Sequence, residues 1–139
     1  MRPLADLGRL DPASRSLDLS GTAVTDDDLR HLARLTRLTE LHLTRTRVTD
    51  NGLEHLAGLP ALEVLDLSRT PVTDGGLRHL RSLTRLKALR LYRTRVTDAG
   101  LEHLAGLTGL VTLDLGHTRV TADGIERLTT ARPNISVYR

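Results

Sequence analysis

Residues 41–53, Leu41-His42-Leu43-Thr44-Arg45-Thr46-Arg47-Val48-Thr49-Asp50-Asn51-Gly52-Leu53, decide how the rest of the chain is read. The same register opens at Leu17 (LDLSGTAVTDDDL), Leu65 (LDLSRTPVTDGGL), Leu89 (LRLYRTRVTDAGL) and Leu113 (LDLGHTRVTADGI), a step of 24 residues each time. The full unit is LxLxxTxVTDxGLxxLxxLxxLxx, and five tandem copies run through 17–136 of the 139 residues. Self-similarity at this period marks a solenoid, in which each unit buries its apolar face against its neighbours.

Within the unit, L-x-L carries the two-residue period of a strand, so Leu41 and Leu43 point inward and His42 outward. The Thr that follows (Thr22, Thr46, Thr70, Thr94, Thr118) is expected to turn inward and use its hydroxyl on backbone groups where the chain bends. Thr25, Thr49, Thr73, Thr97 and Thr121 are suited to capping a helix, and the next Asp suits the positive end of its dipole. Leu53, Leu56 and Leu59 then recur at the spacing of a short helix passing into a 3₁₀ turn. Parallel strands need such a crossover. Gly52, Gly76, Gly100 and Gly124 share one slot, but the first copy holds Asp28 there, so the slot does not demand a positive φ.

Composition suits this arrangement. The only aromatic residues are Tyr92 and Tyr138, so leucine must fill the core, as layers of one kind allow. There is no cysteine, which excludes disulfide caps, thiol catalysis and Cys-ligated zinc and fits a reducing compartment. Residues Met1–Asp6 show no apolar targeting segment and no apolar run reaches membrane-spanning length. A cytosolic, soluble protein is expected. Net charge is +3, with acids and bases interleaved, so composition alone names no polyanionic partner.

The stretch Leu38-x-x-Leu41-x-Leu43-x-x-Thr46-x-Val48 resembles the leucine-rich repeat core LxxLxLxxNxL, with Thr in place of the usual Asn. Its TDxGLxxL continuation is similar to 24-residue bacterial repeats and to the cysteine-containing repeats of F-box proteins, without the cysteine. The resemblance covers about 17–136. It implies an α/β fold: a leucine-rich repeat solenoid with a curved parallel sheet on the concave face and short helices on the convex face. It also implies a protein-binding scaffold. On this reading 1–16 form an N-terminal cap, with helix-like Leu4, Leu7 and Leu10 broken at Asp11-Pro12. Thr129–Asn134 replace the leucine run, Ile135 and Val137 make a closing strand, and 137–139 end the chain as a natural terminus.

A solenoid turns sequence columns into ladders about 4.8 Å per step, so five copies span a sheet roughly 20–25 Å wide. Between the strand leucines stand Asp18, His42, Asp66, Arg90 and Asp114; two positions on come Ser20, Thr44, Ser68, Tyr92 and Gly116. Neighbouring Asp66, Arg90 and Asp114 can neutralise one another, a solvated zipper of small energetic weight. The next column, Gly21, Arg45, Arg69, Arg93, His117, stacks like charges, which disfavours that pairing unless something anionic offsets them. Arg47, Arg95 and Arg119 run beside it, either as a rim for carboxylate-rich protein or as arginine filling exposed slots. Tyr92 sits among Arg69, Arg90 and Arg93, and aromatic and Arg residues near an interface centre are the usual hot spots.

Three other chemistries fit less well. His31, His55, His79 and His103 form a column, but ligands must converge on one point and these face outward from separate helices. His42 between Asp18 and Asp66, with Thr44 and Ser68 near, suggests a Ser-His-Asp arrangement, yet nucleophile elbow, phosphate loop and metal motif are all missing. Nucleic acid could bind the arginines through phosphate, against which stand Asp18, Asp66, Asp114 and the lack of stacking platforms. A structural module stacking through its solenoid ends is a further alternative. The sequence therefore points to a non-catalytic scaffold without cofactor or metal, taking a protein or peptide with an acidic surface. Its contact residues are Tyr92, Arg90, Arg93, Arg69 and Arg45, with His42 and Asp66 setting register.

Overall fold

Each L-x-L becomes part of a short strand, and the 24-residue step becomes the register of the sheet. In a computed structural model, which describes residues 7–139, the strands are β1 (Ser16–Asp18), β2 (Glu40–His42), β3 (Val64–Asp66), β4 (Ala88–Arg90), β5 (Thr112–Asp114) and β6 (Ser136–Tyr138). They form one parallel sheet in chain order. Leu17 pairs with Leu41, Leu41 with Leu65, Leu65 with Leu89, Leu89 with Leu113, and Leu113 with Val137. The crossovers carry α1 (Asp50–Leu56), α2 (Asp74–Leu77), α3 (Asp98–Leu101) and α4 (Ala122–Ala131), with 3₁₀ turns at Asp27–Arg34 and Arg78–Ser82. Leu4 of the expected cap lies outside the described residues. Among those described, Leu7–Arg9 form a 3₁₀ turn, whose Gly8 carbonyl accepts a 2.5 Å bond from Arg34 Nη2. No helix among the described residues is long and apolar enough to cross a membrane.

The core is leucine in layers. Leu41, Leu65, Leu89 and Leu113 from the strands, and Leu53, Leu77, Leu80 and Leu104 from the crossovers, are almost wholly excluded from solvent. Each such side chain contributes about 1.5–3 kcal/mol of transfer free energy. The inward threonines behave as expected: Thr22, Thr46, Thr70, Thr94 and Thr118 donate their hydroxyls to the carbonyls of Leu19, Leu43, Leu67, Leu91 and Leu115, at 2.6–2.8 Å. A threonine hydroxyl thus closes the bend in every layer.

The acidic residue of TD does more than sit at a helix start. Asp26, Asp50, Asp74 and Asp98 each reach into the following layer. There Oδ1 accepts the backbone N–H of Thr49, Thr73, Thr97 or Thr121 at 2.7 Å, and Oδ2 accepts the same residue's hydroxyl at 2.5 Å. Thr49, Thr97 and Thr121 also accept an amide of their own helix, whereas Thr73 makes no such cap.

This clamp explains the glycine slot. A Cβ on Gly52, Gly76, Gly100 or Gly124 would stand 2.5, 2.4, 2.4 and 2.1 Å from an oxygen of the preceding layer's Asp26, Asp50, Asp74 or Asp98. None of these glycines has a positive φ. The slot wants glycine because a carboxylate occupies the space.

Candidate partner-binding site

The arginine column lies two residues beyond the second leucine of each L-x-L, where the chain leaves the sheet. There Arg45, Arg69, Arg93 and His117 adopt left-handed backbone with φ of 57°, 57°, 55° and 54°, and Gly21 has φ 68° in the first copy. For residues with a Cβ this conformation costs about 1–2 kcal/mol, whereas glycine takes it freely. The amides stay in the ladder: Arg45 N–H donates to Ser68 O at 3.1 Å, Arg69 to Tyr92 O and Arg93 to Gly116 O at 2.8 Å. Four of five copies therefore keep a cationic or ionisable side chain in a backbone state that glycine would hold without strain.

The side chains converge. A cleft of about 540 Å³ is lined by Arg45, Arg69, Arg93 and Arg95, with Thr46, Thr70 and Pro71. It opens where Pro71 interrupts the turn column that holds Arg47, Arg95 and Arg119 in other copies. Among the described residues, none of the four arginines lining it forms an ion pair, although five other pairs are present. A strip of unneutralised guanidinium groups raises the local positive potential well above what a net charge of +3 conveys.

Tyr92 is half-buried beside this cleft. The guanidinium carbons of Arg69 and Arg93 lie over its ring, 5.6 and 5.5 Å from the centroid. The His117 ring meets it edge-on at 5.2 Å. Of the residues expected to bind a partner, Arg69 and Arg93 are thus each brought against Tyr92, and Arg45 lines the same cleft.

The other three lie on the strand face and have partners of their own. Arg90 Nη1 is 3.6 Å from Asp66 Oδ2, while Asp66 Oδ1 accepts the Ser68 amide at 2.9 Å. His42 Nε2 lies 3.7 Å from Glu40. The zipper is realised at Asp66–Arg90, whereas Asp114 turns back to accept the amide of Gly116 at 2.9 Å. These carboxylates mainly close turns two residues on, a local use that short polar side chains favour.

On the helical side, Arg81 Nη2 contacts His103 Nδ1 at 2.5 Å, and His55, His79 and His103 are half-buried on successive layers. Among the described residues, no three His, Asp or Glu side chains come together as metal ligands would. A hollow of about 190 Å³ between α3 and α4 is walled by Leu101, Ala105, Leu128 and Ala131, with Asp98 and Arg127 at its edge.

Sequence reasoning placed Arg95 only beside the arginine column, and missed the left-handed backbone and the part played by Gly116. A signal for Gly116 was present: Tyr92 and Gly116 are adjacent departures from a column that is otherwise Ser or Thr.

The family model for the leucine-rich repeat matches residues 35–57 and 59–80. No curated protein matches the chain. Among solved structures, an internalin C2 from Listeria monocytogenes is 26% identical, with a TM-score of 0.68 over 91% of this chain and 51% of its own. Another internalin of that organism is 21% identical, with a TM-score of 0.54 over 88% of this chain and 46% of its own. A leucine-rich repeat protein of Leptospira interrogans is 21% identical, with a TM-score of 0.71 over 90% of this chain and 31% of its own. The chain thus spans about half the length of these neighbours or less. The fold is a leucine-rich repeat solenoid, and the repeat model itself matches two adjoining stretches of it.

Proposed function

We propose that the protein is a non-catalytic interaction scaffold that binds an acidic protein or peptide on its concave face. Arg45, Arg69 and Arg93 supply the anion contacts, and Tyr92, Arg90, His42 and Asp66 complete the surface. The same reading places it with the 24-residue TxVTDxGL type of repeat. One observation carries the proposal: three arginines on successive layers keep left-handed backbone, and none has an acidic partner among the described residues. Uncompensated like charges at ladder spacing repel, and a carboxylate-bearing partner removes that repulsion while forming bidentate bonds.

The test uses the Arg45→Glu, Arg69→Glu, Arg93→Glu variant beside the unmodified protein in capture from source-organism lysate, with circular dichroism to verify folding. Proteins should be lost from the variant and unaffected by nuclease. A folded variant that captures the same proteins overturns the placement, and loss on nuclease treatment transfers the arginines to nucleic-acid binding.

A further inference from the structure

The column Ser20, Thr44, Ser68, Tyr92, Gly116 holds small residues in every copy except the fourth. There the ring extends over the next layer: a Cβ on residue 116 would stand 2.8 Å from Tyr92 Cδ2 and 3.2 Å from Cε2. Only glycine leaves room for the ring in this position. Two neighbouring copies therefore depart from the repeat in ways that fit each other, and the result is a tyrosine bracketed by Arg69, Arg93 and His117.

We infer that Tyr92 is a positioning residue that holds Arg69 and Arg93 as a preformed pair for a carboxylate of an acidic polypeptide. This rests on the reading of the arginine cleft given above and adds a division of labour to it. Cation–π attraction to the ring opposes the mutual repulsion of two guanidiniums and fixes long side chains that would otherwise sample many rotamers. The freedom lost in immobilising them is then already spent before the ligand arrives.

The same geometry argues for the ligand class. The Tyr92 ring is engaged by two guanidiniums and an imidazole, so it is poorly placed as the stacking platform on which single-stranded nucleic acid depends. What the pair presents outward is guanidinium N–H donors in a planar fork, which match a carboxylate. Arg45 and Arg95, lining the same cleft, would take further acidic side chains of the same polypeptide.

The experiment compares Tyr92→Phe and Tyr92→Leu with the unmodified protein, using two readouts. Without ligand, NMR should show ring-current shifts of the Arg69 and Arg93 side-chain protons in the unmodified protein and Tyr92→Phe, and their loss in Tyr92→Leu. With a fluorescein-labelled poly-glutamate peptide at low salt, Tyr92→Phe should bind more tightly than Tyr92→Leu, because it keeps the ring that holds the pair. Tyr92→Leu should bind on the order of tenfold more weakly, because two long side chains must be ordered on binding. Thermal melting identifies any variant that has simply unfolded, and Tyr92→Phe supplies the folded control.

If Tyr92→Leu binds as tightly as the unmodified protein while the triple Arg→Glu variant does not, the positioning role is overturned and the cleft stands. If Tyr92→Phe weakens as much as Tyr92→Leu, the hydroxyl touches the ligand and the role is direct contact instead. If the unmodified protein ignores poly-glutamate, the acidic-partner reading fails and takes this inference with it. A labelled oligothymidine that binds more tightly than poly-glutamate overturns the choice of polypeptide.

Discussion

Asp28 Oδ2 accepts both the backbone N–H and the hydroxyl of Thr25, at 2.9 and 3.0 Å, within the first layer of the solenoid. In every later layer the equivalent threonine receives the same two contacts from the aspartate one layer back. Among the described residues no aspartate from a preceding layer reaches Thr25, and the first copy carries the carboxylate in its own glycine slot. The fifth copy breaks the pattern in the opposite sense: Ala122 stands where Asp98 stood. The aspartate and glycine columns are thus offset by one layer, because one group supplies the carboxylate that the other must accommodate.

A double-mutant cycle should expose that coupling. Asp50→Ala removes two bonds to Thr73 and should cost at least about 1.5–3 kcal/mol, the usual weight of one hydrogen bond to a charged group. Gly76→Asp alone should also destabilise, since its side chain would meet the Asp50 carboxylate. Combined, they copy the first layer's arrangement and should recover part of the loss. Strict additivity in urea denaturation would show that the slot and the clamp are independent.

Leu65 tests the register of the core. It is fully buried between Leu41 and Leu89, and Leu65→Ala should lower stability by about 2–5 kcal/mol. A layer has few alternative side chains to refill the cavity. An unchanged denaturation midpoint would contradict this packing.

Arg45→Gly should separate stability from binding. The left-handed conformation costs a residue with a Cβ about 1–2 kcal/mol, and glycine's extra unfolded-state freedom returns about 0.5–1 kcal/mol of that. The variant should be as stable as the unmodified chain or up to about 1.5 kcal/mol more so, while binding poly-glutamate more weakly. Marked destabilisation would mean that the arginine side chain supports the fold.

Asp98 supplies a pH dependence. Its pKa lies below the ordinary aspartate value, first because the Thr121 hydroxyl donates to it, then through the Thr121 amide and nearby Arg127. A carboxyl whose folded pKa is depressed adds stability above its unfolded pKa and loses it as pH falls through the folded one. Melting temperature should therefore fall on acidification across that interval, with a shallower fall in Asp98→Asn. Identical acid profiles for the two would remove Asp98 from the acid response.

Much of the candidate site was legible, because a tandem repeat converts sequence columns directly into neighbours in space. The stacking of Arg45, Arg69 and Arg93 followed from the period alone. Their backbone conformation did not, since arginine is not a residue that announces a positive φ; Gly21 at the head of the column was the sole hint. Asp50 stands in the first turn of its own helix as expected, but its bonds to Thr73 were not legible, because Thr73 lies 23 residues on and only layer packing brings them together.

The sequence by itself determined the solenoid, the parallel register and the leucine core, because those depend on periodicity that five copies state redundantly. Only the tertiary structure decided where the polar groups go. Which carboxylate fills a glycine slot, which arginine lies over Tyr92 and which acids close turns depend on distances of a few tenths of an ångström between adjacent layers. Hydrogen bonds and close contacts vary steeply over such distances, whereas the burial that sets the fold does not.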